Sequence, residues 1–114
     1  MKKKNVISEL SIKFALRIIK LYKYLCDEKH EYVLSKQILR SGTSIGANVR
    51  EAQRGQSKPD FYTKLFVALK EADETAYWLE LLHESEYIDQ SAFESVYADC
   101  DEIIKLLTSI TKTR

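Results

Sequence analysis

The chain has 114 residues, 18 Lys plus Arg against 17 Asp plus Glu, and a formal net charge of +1. That length holds one domain, residues 1–114, and excludes a large multi-domain enzyme, while 45% hydrophobic residues supply a core that a disordered polymer lacks. With 3 Gly and 1 Pro the chain has too few turn formers for a sandwich or a barrel.

Residues 1–4, Met1-Lys2-Lys3-Lys4, read as a flexible basic tail. They resemble the start of a secretory signal, but Glu9, Lys13, Arg17 and Lys20 break the apolar run that should follow. No window reaches the roughly 18 apolar residues of a membrane span. The expectation is a soluble, cytoplasmic protein with no membrane partner. The first helix carries the stripe Ile7, Leu10, Phe14, Ile18, Leu21 and Leu25, spaced by threes and fours. A second stripe, Ile12, Leu16, Ile19 and Cys26, runs beside it. A helix with two apolar fronts buries one in its own bundle and offers the other to a partner, which points to self-association.

The second helix shows Leu34, Ile38, Ser41, Ile45, Asn48 and Ala52 in phase across Gly42 and Gly46. Each glycine costs a helix about 1 kcal/mol relative to Ala, so a packing reason must stand behind it. Reversal near Gly55-Gln56-Ser57 sets Ser41 and Ile45 opposite Ala72 and Ala68, so that the small residues meet the third helix, and it brings Arg40 near Asp73 and Glu74. Ser57, Pro59 and Asp60 signal the start of that helix. Its stripe is Phe61, Leu65, Ala68, Ala72, Thr75, Leu79 and Leu82. Asp89 caps a fourth helix with Phe93, Val96, Cys100, Ile103, Leu107 and Ile110. Four helices of about 20 residues with short connections predict an all-α fold, an antiparallel up-down-up-down four-helix bundle.

Chemistry is harder to find. Glu80-x-x-His83 has the spacing of a di-iron bundle ligand pair, but His30 has only Asp27 at that spacing, in the first connection. Gly42-x-x-x-Gly46 has no Gly-Lys-Ser/Thr and joins no strand to a helix, so it is no phosphate loop. Glu71 and Glu74 read as an ion-paired helix face before they read as an acid–base pair. Cys26 and Cys100 form no CxxC motif and read as reduced core thiols, about 16 Å apart along the bundle and beyond disulfide reach. No catalytic residue, no cofactor and no metal is expected.

The run Gln37-Ile38-Leu39-Arg40-Ser41-Gly42-Thr43-Ser44-Ile45-Gly46-Ala47-Asn48-Val49-Arg50-Glu51-Ala52, with Asp60-Phe61 and Ala68–Thr75, resembles a family signature. It is that of the bacterial four-helix bundle proteins named after intervening sequences in 23S ribosomal RNA genes. The resemblance implies a ring-like homo-oligomer, a pentamer, and a relationship to the accessory protein of diversity-generating retroelements, which works with a reverse transcriptase and nucleic acid. It implies no reaction. Its motif positions fall on Arg40, Ser44, Asn48, Glu51, Glu71 and Glu74, as a structural set or a pocket. For Asn48, on the core stripe, the structural reading is a bond across the bundle or to Glu51.

The near-neutral total conceals a split. Residues 1–57 carry 12 Lys plus Arg and 5 Asp plus Glu, whereas residues 58–114 carry 6 and 12. Residues 71–104 hold 11 acids and no Lys or Arg. An up-down bundle gathers that stretch at one end and basic residues at the other. Two uses follow. In one, the protein is a non-enzymatic scaffold or adaptor acting through protein–protein contacts, with a protein partner. In the other, pooled basic ends bind RNA or DNA through Lys2, Lys3, Lys4, Arg50, Arg54, Lys58, Lys112 and Arg114.

Overall fold

Amphipathic helices hide their apolar faces from water by packing against one another. The chain does so with α1 (Lys2–Asp27), α2 (Leu34–Gln53), α3 (Lys58–Glu84) and α4 (Gln90–Lys112). The computed structural model describes residues 2–112, with side chains from Val6 onward. Each helix packs on the next and α4 returns to α1, the thinnest of the four seams. Among the described residues α1 does not touch α3, nor α2 touch α4, so these pairs occupy opposite corners. Neighbours are antiparallel. Ile18 of α1 lies at Gly42 and Ser11 at Gly46, while Ser41 of α2 meets Thr75 of α3. The bundle measures 44 × 21 × 18 Å.

The predicted stripes form the core. Ile7, Phe14, Ile18, Leu25, Ile38, Ile45, Leu65, Leu79, Leu82, Ile103 and Leu107 are all essentially inaccessible. Each such side chain contributes about 1.5–3 kcal/mol on leaving water. Two positions correct the α2 stripe: Val49 and Ser35 are buried where Asn48 and Leu34 were expected, and those two are half-buried. Successive helical residues are about 100° apart, so Leu34 with Ser35 and Asn48 with Val49 straddle the edge of the buried face, and spacing alone does not choose between them. The α1 backbone also extends to Lys2, where a tail was expected. Lys carries little helix penalty, so nothing local stops the helix sooner.

The helix starts follow the capping signals. The Ser57 hydroxyl accepts the Asp60 N–H at 3.2 Å, and the Asp89 carboxylate accepts the Ala92 N–H at 2.8 Å. At the start of α2, Val33 offers no capping side chain. The buried Glu31 carboxylate replaces it, accepting the N–H groups of Val33, Leu34 and Ser35 at 3.2, 2.9 and 2.7 Å. An anion there also meets the positive end of the helix dipole. Two non-glycine residues take left-handed conformations, His30 (φ 55°) and Glu86 (φ 67°). At Glu86 the turn is a Schellman closure: Tyr87 N–H bonds Leu82 O at 2.9 Å and Glu86 N–H bonds His83 O at 3.0 Å.

The glycines of α2 face α1, not α3 as the hairpin register alone suggested. A Cβ on Gly42 would lie 2.8 Å from both Cγ1 and Cγ2 of the fully buried Ile18. At Gly46 the nearest atom is Ser11 Oγ, at 3.2 Å. Gly42→Ala is therefore expected to cost a net of about 1–2 kcal/mol, overpacking outweighing the gain in helix propensity, and Gly46→Ala to cost less. Urea denaturation of the two variants measures the difference. Glu31→Ala leaves three N–H groups without their acceptor, and the same assay should show a loss of about 1–2 kcal/mol.

Candidate functional site

Two places gather the residues that the sequence singles out. The first lies across the α2–α3 seam. Arg40 reaches Glu71 at 3.3 Å through Nη1 and forms an ion pair with Glu74 through Nη2. Asp73, the other expected partner, is exposed one position away. The Trp78 indole N–H donates to Glu74 Oε2 at 2.9 Å. Bonds from the indole and from Arg40 hold the Glu74 carboxyl below its usual range, and Glu74 in turn raises the Arg40 guanidinium. A general acid needs the opposite shift. Beneath this clamp the hydroxyls of Ser41 and Thr75 meet at 2.8 Å, both fully buried, and Thr75 Oγ1 is also 2.8 Å from Glu71 O.

The remaining motif residues are occupied locally. The Ser44 hydroxyl donates to Arg40 O at 2.6 Å, and Asn48 Nδ2 donates to Ser44 O at 2.8 Å. Asn48 thus bonds along its own helix, neither across the bundle nor to Glu51. Glu51 pairs with Lys64 of α3 at 2.8 Å. Of the motif residues, Arg40, Glu71 and Glu74 join α2 to α3 at mid-height, and Glu51 with Lys64 joins them lower down. No buried side-chain nitrogen or oxygen among the described residues lacks a partner.

The second place is a groove of about 850 Å³ beside α1, α2 and the start of α3. Ile12, Ala15, Leu16 and Ala47 give it an apolar floor, and Arg50, Arg54 and Lys64 stand along it with Glu51 and Asp60. Of the residues expected to contact nucleic acid, Arg50 and Arg54 line this groove. Lys58 and Lys112 are exposed at the same end without lining it. The side chains of Lys2, Lys3 and Lys4, and Arg114 altogether, lie outside the described residues. The acidic end is less pure than the end-to-end picture predicts, because Lys23, Lys29 and Lys36 share it with Glu84, Glu86 and Asp89. The α1–α2 side is the basic one.

Residue spacing did not single out Glu31, Trp78 or the Ser41–Thr75 pair as structural partners. Trp78, four residues after Glu74, has the spacing of a helix-surface pair and was legible in principle. His83 stacks on Phe93 with ring centroids 4.3 Å apart, which gives it a packing role at the α3–α4 seam. Burial pushes the Cys100 thiol up to about 12, aided by Asp73, Asp101 and Asp99, so it stays protonated. Both cysteines are free.

The sequence matches the 23S rRNA-intervening sequence protein family over residues 3–109. The chain belongs to that family. A solved structure from Bacteroides thetaiotaomicron shares 59% identity and superposes with a TM-score of 0.95, covering 96% of this chain and 98% of that one. It is described as a protein of unknown function from the S23 ribosomal protein family. No curated protein matches the chain. Within the described residues no helix is long and apolar enough to cross a membrane.

In this family member the Arg40–Glu74 pair should couple by about 0.5–1 kcal/mol in a double-mutant cycle with Arg40→Ala and Glu74→Gln. Because folding lowers the Glu74 pKa, its contribution is complete above the unfolded value, about 4.3, and disappears as pH falls through the folded value. Urea midpoints measured from about pH 7 to pH 3 should show the wild type and Glu74→Gln converging in acid.

Proposed function

We propose that the protein is a non-enzymatic homo-oligomeric scaffold that works in the cytoplasm through protein–protein contacts. The observation that carries this reading is the second front of α1. Ile12 and Leu16 are 45% and 59% exposed, on a helix whose first apolar row is buried in the core except for the half-buried Leu10 and Leu21. Two large aliphatic side chains on the floor of an open groove favour a protein surface as their cover. The family resemblance favours five subunits. Light scattering on the purified full chain should give a mass of several protomers that is independent of concentration in the micromolar range. A monomer would end this reading.

The groove's cations support a second use. Arg50 and Arg54 beside it, with Lys58 and Lys112 at the same end, would be pooled by protomers assembled in parallel, and pooled cations attract phosphates. Glu51 and Asp60 offset part of that charge. RNA and DNA binding titrated against salt tests it: affinity should fall steeply as salt rises, and Arg50→Ala with Arg54→Ala should flatten the slope. Absence of binding at about 50 mM salt leaves the scaffold reading alone.

A further inference from the structure

The oligomeric reading leaves open which surface meets which, and the faces of α1 and α3 answer it. Between residues 12 and 24 the exposed positions of α1 are Ile12, Lys13, Leu16, Lys20, Lys23 and Tyr24, three cations and no acid. Between residues 66 and 84 those of α3 are Phe66, Val67, Lys70, Asp73, Tyr77, Glu80 and Glu84, three acids and one cation. Phe66 and Tyr77, 37% and 54% exposed, stand eleven residues apart and so on one helical stripe with Asp73 and Glu80. By contrast, α4 exposes no large apolar side chain. The two apolar faces differ in sequence, carry opposite charge and sit on opposite corners of the bundle.

Their heights also agree. Ile18 lies against Gly42, and Ser41 is bonded to Thr75, so Ile18 and Thr75 share a level. Because α1 and α3 are each antiparallel to α2, they run in the same direction, and equal steps stay level. Leu16 is then level with Asp73, Lys20 with Tyr77, and Lys23 with Glu80, while Phe66 lies within one turn of Ile12. Two copies placed side by side with parallel axes and no vertical slip would set Ile12 near Phe66, Leu16 beside Asp73, Lys20 beside Tyr77 and Lys23 beside Glu80, so that the basic face meets the acidic one.

We propose that a second copy of this chain covers the α1 face with its α3 face. This contact rests on the oligomeric reading above. It is heterologous, one surface meeting a different one, so it propagates from copy to copy and closes where the rotation per step permits. A contact of α1 with α1 would instead oppose lysine to lysine.

Complementary variants of the full chain test it, read by light scattering with helicity followed by circular dichroism. Leu16→Glu sets a carboxylate against the acidic face, and Tyr77→Lys sets a cation against the basic one. Each alone should be monomeric. Mixed, they retain one intact α1 face and one intact α3 face and should form a 1:1 dimer that stops there. Assembly of Tyr77→Lys alone, or a mixture that stays monomeric, would overturn the pairing while the wild-type oligomer stands. A monomeric wild type would remove the oligomeric reading itself. Should either variant lose helicity, Lys23→Glu and Glu80→Lys replace them. Each charge reversal should weaken assembly, and the two combined in one chain should restore it; failure to restore would overturn the pairing.

Discussion

The bundle depends on how closely α1 lies on α2 at Gly42. With hydrogen in place of a side chain, the α2 backbone admits Ile18 so closely that a Cβ on Gly42 would lie 2.8 Å from two of its carbons. One turn further on, Ser11 fits over Gly46. These two contacts fix the rotation of α1 about its own axis as well as its distance. With Ile18 and Ser11 turned toward α2, the row Ile7, Phe14, Ile18 and Leu25 enters the core. Ile12 and Leu16 of the second row are then carried outward, while Ile19 and Cys26 of the same row stay half-buried. The rotation that seats Ile18 and Ser11 on the glycines thus leaves Ile12 and Leu16 exposed, and core contact offsets the cost of those glycines to helix propensity.

The opposite side of α2 is held by polar groups. The Ser41–Thr75 hydroxyl pair lies in the core with its bonds complete, and the Arg40, Glu71, Glu74 and Trp78 cluster closes over it. Exposed ion pairs contribute little individually, so the value of this cluster lies in register: it allows one vertical setting of α3 against α2. The α1–α4 seam, the thinnest, has an analogous fastener, Arg17 to Asp99 at 2.6 Å and to Ser95 Oγ at 3.0 Å. Ser44 and Asn48, although part of the same sequence signature, spend their hydrogen bonds on carbonyls of their own helix. The signature thus turns its glycines toward one neighbouring helix and its arginine toward the other.

Much of this was legible in the sequence. Apolar spacing located four helices and nearly every core residue, the caps at Ser57 and Asp89 marked two helix starts, and hairpin height placed Arg40 beside Glu74. The errors share a cause. Height along a hairpin follows from counting residues, but azimuth about a helix axis does not, because α2 has a neighbour on each side. The glycines could face α1 or α3 at equal height, and the count favoured the wrong one. Azimuth also decided between Asn48 and Val49. Glu31 escaped notice for a different reason: it lies three residues before α2, in a connection whose left-handed His30 turns the carboxylate back onto the helix start, and periodicity carries no information about such turns.

Charge shows what azimuth adds. Counted along the chain, the basic first half and the acidic second half suggest a molecule polarised from end to end. Folded, the halves are the α1–α2 side and the α3–α4 side, so the polarity also runs across the bundle, and Lys23, Lys29 and Lys36 stand at the same end as Glu84, Glu86 and Asp89. A lateral dipole on a particle of net charge +1 changes how copies meet. Nearly neutral protomers do not repel at distances beyond about 10 Å, where salt screens them. At contact, the basic side of one can face the acidic side of the next, and with parallel axes the α1 and α3 levels also match. Parallel packing then brings like ends together, which favours side-by-side growth only if repulsion there is reduced. The Glu51–Lys64 pair and Asp60 dilute the basic end, and a bound polyanion would neutralise it further. In the proposed assembly, the contact that covers the α1 face would also decide how many cations a polyanion meets, so the two proposed uses would be linked rather than competing.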